Sequence, residues 1–184
     1  MQIVDAQRDV RLTFLANGPG ALVSGLIWLA SAGVATWATP RLAMMTLVLG
    51  GTFIFPLSQL VLRAMGRRAA LLPENPMGQL AMQVAFTIPA SYPLVGAGTL
   101  HRLEWFYPAF MIVVGAHYLP FMFLYGMPAF LAIALLMVGG GFAIGAWLPG
   151  SFALGGWVTG ALLLLWSAFG FMSARRELAG APGR

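Results

Sequence analysis

The chain has no cysteine and no lysine, and it has only five acidic residues and two histidines. Without cysteine there is no disulfide framework, thiolate metal site, iron-sulfur cluster or cysteine nucleophile. The shortage of charge excludes more. Charged residues make up 8% of the 184, where a soluble domain carries roughly a quarter. Apolar residues make up 60%, and the mean hydropathy is +0.85. Such a chain cannot cover a core with water-compatible groups, so the solvent it folds in is lipid. In a soluble protein a pI near 10.8 would point to nucleic acid. Here the arginines stand at the ends of apolar runs, where they report orientation, and no nucleic-acid partner is expected.

What is present is span after span. A hydrocarbon core about 30 Å thick takes roughly 20 apolar residues per helix at 1.5 Å each. Six stretches fit, at about 20–38, 42–62, 77–97, 105–124, 128–147 and 152–172. No charged residue occurs from Trp105 to Ala174, which leaves room for three spans joined by turns at Gly126-Met127-Pro128 and Leu148-Pro149-Gly150-Ser151. The expected fold is all-α: one polytopic membrane domain over residues 1–184 with six transmembrane helices.

An even number of spans puts both termini on one side. Arg8, Arg11, Arg63, Arg67, Arg68, Arg175, Arg176 and Arg184 fall there, and only Arg41 and Arg102 fall opposite, so the positive-inside rule predicts cytoplasmic termini. Trp37, Trp105 and Trp147 all land at the predicted outer boundary, where indole rings favour the headgroup level. Residues 1–16 carry Ile3, Ala6, Val10 and Phe14 as one helical stripe flanked by Asp5, Arg8, Asp9 and Arg11, the pattern of a short interfacial helix. Asn17-Gly18-Pro19-Gly20 ends it. In Glu74-Asn75-Pro76, Asn75 reads as a helix cap with Pro76 in the first turn.

Three spans per half would make the halves inverted in the membrane, as in many secondary transporters. Leu47-Val48-Leu49-Gly50-Gly51-Thr52-Phe53 in span two can be laid over Leu136-Met137-Val138-Gly139-Gly140-Gly141-Phe142 in span five. Matched glycine-interrupted spans point to a binding site, because an opened helix exposes backbone groups, and span two adds Pro56. Close helix packing is the commoner use of such glycines, and Gly141 with Gly145 and Gly156 with Gly160 are small-xxx-small pairs of that kind.

Ionisable residues within hydrocarbon are functional candidates, because each is costly unless it faces protein or water. His117 in span four is the one candidate, seven residues and about 10 Å from its inner end. Gln83 in span three lies at matching depth and could meet it. Gln79, Gln83 and Thr87 recur every four residues on one face, and Ser58 and Gln59 in span two lie near the depth of Gln79. Together with the break at Gly50-Gly51, these residues outline a ligand-binding pocket in the inner half. A neutral imidazole both donates and accepts, which suits a proton or a small solute. Its structural alternative is a single interhelical hydrogen bond. No second histidine or carboxylate shares the depth, so no metal and no cofactor is expected. His101-Arg102-Leu103-Glu104-Trp105 at the outer side reads as a solvated charge pair beside an aromatic belt.

Glu74-Asn75-Pro76-Met77-Gly78-Gln79-Leu80 and Val114-Gly115-Ala116-His117-Tyr118-Leu119-Pro120 with Tyr125 resemble an uncharacterised family of small polytopic bacterial membrane proteins. The carrying motifs are Asn-Pro-x-Gly and Gly-Ala-His-x-Leu-Pro, and they cover the middle third of the chain. The resemblance implies a bacterial inner membrane, draws attention to Asn75, Gly78 and His117, and brings no activity. The expected function is binding, and passage, of a small solute or proton through the pocket of His117, Gln83, Gln79, Gln59, Thr87, Gly50 and Gly51. The runner-up is a noncatalytic packing or partner subunit with a structural histidine. A lipid-modifying enzyme built on His117 and Tyr118 comes third. No enzyme activity is expected. A homodimer fits either leading reading, since six short helices leave little room for a full solute path.

Overall fold

The computed structural model describes residues 1–148 and 150–180. The expected turn at Leu148-Ser151 includes Pro149, and the arginine tally includes Arg184; both residues lie outside the described ones. Among the described residues nine α-helices form and no strand: α1 Ile3–Thr13, α2 Gly18–Trp37, α3 Pro40–Thr52, α4 Ile54–Ala64, α5 Met77–Ala90, α6 Tyr92–His101, α7 Phe106–Tyr125, α8 Ala129–Trp147 and α9 Leu154–Ala179. Five stretches are long and apolar enough to cross a membrane, α5 and α6 counting as one, and the bent pair α3–α4 makes a sixth. The all-α, membrane-spanning architecture is as expected.

Two spans are broken, each for a local chemical reason. Span two bends by 55° between α3 and α4. Pro56 has no N–H to give the Thr52 carbonyl one turn earlier. The Thr52 hydroxyl folds back onto the Leu49 carbonyl (2.7 Å), and Phe53 N–H tightens onto Gly50 (2.9 Å). Span three breaks between α5 and α6, where Pro93 leaves the Pro89 carbonyl without its donor. There Ser91 N–H is shared between the Thr87 and Ile88 carbonyls. The glycines of span five behave differently. Helix α8 runs unbroken through Gly139-Gly140-Gly141, so the two halves do not match in their breaks.

The centre is α2, α7, α8 and α9, with α7 packed on α8 and α2 on α9. Lipid supplies no hydrophobic drive between helices, so close packing must hold them. A Cβ at Gly141 would lie 2.8 Å from the Pro108 carbonyl, and one at Gly160 3.1 Å from the Leu29 nitrogen, so backbone approaches backbone at both interfaces. The core between them is aromatic: Phe130, fully buried, stacks on Tyr118 and lies 4.6 Å from Trp166 between ring centroids. Pair α3–α4 flanks α2, and α5–α6 flanks α7.

Helix α1 closes the end of the bundle where both termini lie. Its stripe divides: Ala6 and Val10 are 1% exposed against the bundle, whereas Ile3 is 57% exposed. The reason is polar. Arg11 grips Glu177 of α9 with two bonds (3.0 and 3.1 Å) and donates to the Tyr125 carbonyl at the end of α7 (2.7 Å), and Gln7 donates to the Phe123 carbonyl (2.6 Å). These donors satisfy carbonyls that a helix C-terminus leaves open. Gly126, at φ 61°, turns the chain out of α7 in the left-handed conformation glycine tolerates.

Candidate functional site

His117 meets span three, but one turn further along than depth alone suggested. Its Nδ1 lies 3.1 Å from the Thr87 hydroxyl, and Gln83 is not its partner. The Thr87 hydroxyl donates its single proton to the Val84 carbonyl (2.7 Å). With the proton there, the hydroxyl accepts from Nδ1–H; in the other ring tautomer it donates to Nδ1 instead. The ring packs on Phe121 at 4.9 Å between centroids. Of the seven expected site residues, this pair is the one joined by a hydrogen bond.

The other five are not brought together with that pair. Gln79 and Gln83 are exposed on the α5 face that carries Thr87, and Gln59 is half-buried on α4; among the described residues none of their amides has a side-chain bond. A Cβ at Gly50 would press on Ile27 of α2, so that glycine serves packing. The nearest neighbour of Gly51 is the Tyr92 hydroxyl, 3.9 Å from where a Cβ would stand. Ser58 returns its hydroxyl to the Phe55 carbonyl (2.8 Å) and offers nothing outward. The polar residues thus do not close into an enclosed pocket: Thr87 and His117 meet, while Gln79 and Gln83 stay exposed on α5 and Gln59 half-buried on α4.

A cavity of about 340 Å³ lies in the half away from α1, lined by Met44, Val48, Tyr92, Val95, Gly96, Thr99, Leu100, Phe106 and Phe110. Its lining is almost wholly apolar. The Thr99 hydroxyl is spent on the Val95 carbonyl (2.8 Å). The sequence reading missed Tyr92 and this cavity. The signal was present in Pro89 and Pro93, which bracket the break that turns Tyr92 toward span two.

Further polar contacts belong to structure. Asn75 is buried and makes three bonds: its carbonyl accepts from Met77 N–H (2.9 Å), as expected of a cap, and its amide donates to the Ala6 carbonyl (3.0 Å) and to Asp9 (2.8 Å). Asp9 also accepts from Leu72 N–H (3.0 Å). This cluster ties α1 to the start of α5. Ser31 donates to the Ala43 carbonyl (2.8 Å) and pairs with the Tyr107 hydroxyl (2.5 Å) inside the bundle. The Tyr118 hydroxyl meets Asn17 (3.4 Å) in the core. Arg102 and Glu104 form no ion pair with each other among the described residues.

The chain belongs to a family of unknown function (DUF7010), whose characteristic sequence matches residues 3–173. No curated protein and no solved structure matches it.

Proposed function

We propose that this member of the family binds a small polar solute or a proton in the membrane-embedded cleft of His117, Thr87, Gln83, Gln79, Gln59 and Gly51, and passes it along the two broken spans. One observation carries the reading. The Thr87–His117 pair sets a membrane-depth ionisable group of span four against span three, and span two is bent by 55° at its break. Interrupted helices at membrane depth are tolerated where they line a cavity, and such places hold substrate in transporters.

The packing-subunit reading finds less support. It needs glycine faces turned outward, yet Gly141, Gly145, Gly156 and Gly160 are all buried between helices of this chain. A non-enzymatic role also suits the Tyr118 hydroxyl, which engages Asn17 and not the cleft. We place the protein in a bacterial inner membrane with both termini cytoplasmic, supported by the arginine distribution.

The test is thermal unfolding of the purified protein in detergent from pH 5 to 8 with ions and metabolites, for wild type and His117→Ala. A compound at a hundred times its Kd stabilises by about 2.7 kcal/mol. Such a gain in wild type and its absence in His117→Ala is the expected result. If no compound stabilises wild type and His117→Ala merely lowers stability equally at every pH, the histidine is a packing group and the reading is wrong.

A further inference from the structure

We propose, resting on the reading that spans two to four hold a polar ligand, that this ligand is a glycerophospholipid: head group in the α1 half of the cleft, one hydrocarbon chain in the cavity beyond the breaks. The cleft is itself amphipathic along its length. On span three the polar Gln79, Gln83 and Thr87 recur at a four-residue step on the α1 side of the break, and past it the cavity is lined by Val95, Gly96 and Leu100. On α7 the same change occurs from His117 to Phe110 and Phe106, seven and eleven residues away on one face. On α3 the cavity is lined by Met44 and Val48.

A water-soluble solute would gain nothing beyond Tyr92. The cavity wall of Met44, Val48, Val95, Leu100, Phe106 and Phe110 gives it no partner, whereas a hydrocarbon chain fits such a wall. Its volume of about 340 Å³ falls within the size of small-molecule sites, about 300–1,000 Å³. The cleft is open sideways, since α3–α4 pack on α2, α5–α6 pack on α7, and the two pairs pack little on each other. A lipid enters by that route without leaving the bilayer. At the head-group end the amides of Gln79 and Gln83 and the His117 ring supply hydrogen bonds. Arg63, exposed one turn from Gln59 on the same face of α4, supplies a cation for the phosphate.

The test uses the full chain in detergent micelles with a trace of phosphatidylethanolamine bearing a diazirine in one acyl chain, photolysed and mapped by mass spectrometry. A Cβ at Gly96 or at Gly139 meets nothing within 4 Å, so both positions have room to start a larger side chain. Gly96→Phe fills the cavity, while Gly139→Phe stands on the outside of α8. Wild type and Gly139→Phe should be labelled on α3, α6 and α7, and Gly96→Phe should lose that label about tenfold, as for a site weakened by about 1.4 kcal/mol. His117→Ala with Gln83→Leu should lose it too. Equal labelling of all variants would mean bulk lipid and overturn the proposal. If labelling ignores Gly96 while a water-soluble compound still stabilises wild type and not His117→Ala, the polar site stands and the lipid falls. If labelling depends on Gly96 but not on His117 and Gln83, a chain is held without a head-group site, and both readings fall. If Gly96→Phe splits a dimer and wild type takes up no label, the groove is an interface between copies and the lipid is overturned.

Discussion

At the scale of the residue, the chain places few polar side chains in the hydrocarbon, and most of them return their hydrogen bonds to their own helix. Thr87 does so and also serves a neighbour, because its proton goes to Val84 while its oxygen accepts from His117. Thr87→Val should lower stability by about 0.5–1.5 kcal/mol, the range of interhelical hydrogen bonds in membranes, measured by denaturant unfolding in micelles. A change of nothing would show that the pair does not form. Asn75 should matter more, since its loss orphans the Met77 N–H and removes the two bonds that tie it to the Ala6 carbonyl and to Asp9. Asn75→Ala is expected to cost about 1–3 kcal/mol. Asn75→Asp should cost more than Ala, because it sets a second carboxylate against Asp9; equal costs for the two variants would refute the contact. His117 was legible in the sequence as the lone ionisable group at depth, and Thr87 as a member of the polar face. Their pairing was not, because helical rise fixes depth and says nothing about how two helices are rotated and tilted against each other. The bonds of Asn75 to Ala6 and Asp9 were illegible for a different reason: they join residues 69 and 66 positions apart, and no local pattern encodes them.

At the scale of the element, all six spans could be read from apolar length and breakers, and the break in span two from Gly50, Gly51 and Pro56. The glycine run of span five looks the same in sequence and does the opposite, because a glycine opens a helix only when a proline or a competing hydroxyl also removes hydrogen bonds. Around Gly141 nothing removes them, and α7 takes up the space where its side chain would be. That gives a paired prediction within one helix. Gly141→Ala should destabilise by about 1–3 kcal/mol, since its methyl group would press on the rigid Pro108 carbonyl and the α7 backbone. Gly139→Ala, two residues earlier, meets nothing within 4 Å and should be neutral or stabilising by about 0.4–1 kcal/mol through the reduced freedom of the unfolded chain. Unfolding midpoints of the two variants in the same detergent settle the order, and a reversed order would mean that α7 and α8 do not cross at Gly141. The interfacial helix was legible as a helix with one apolar stripe. That it caps the ends of α7 and grips α9 was not, because Arg11, Gln7 and Glu177 look like ordinary interfacial charge and polarity until the helix ends are brought beside them.

At the scale of the whole molecule, the same arginines that report orientation also build the α1 end. Arg11 holds Glu177, Arg67 donates to the Leu12 carbonyl (3.0 Å) and Arg68 to the Leu71 carbonyl (2.7 Å), so moving this end through a bilayer would require breaking its structure as well as desolvating charge. The opposite end carries Arg41 and Arg102 with the exposed rings of Trp37 and Trp147. Because the chain has no cysteine, any introduced cysteine is its one thiol. Thr39→Cys, between α2 and α3, and Ala70→Cys, between α4 and α5, both lie at exposed positions at opposite ends of the bundle. In intact bacterial cells a membrane-impermeant maleimide should label Thr39→Cys, and Ala70→Cys only after the membrane is permeabilised. The reverse pattern would overturn the cytoplasmic placement of the termini, and equal labelling of both in intact cells would overturn the span count. The proposed orientation also fixes how the proposed site is loaded. With α1 in the cytoplasm, Gln79, Gln83 and His117 face the inner leaflet and the apolar cavity lies in the outer half. Under the proposed reading a ligand with a polar head enters from the cytoplasmic leaflet, and its apolar part reaches past Tyr92 toward the other side.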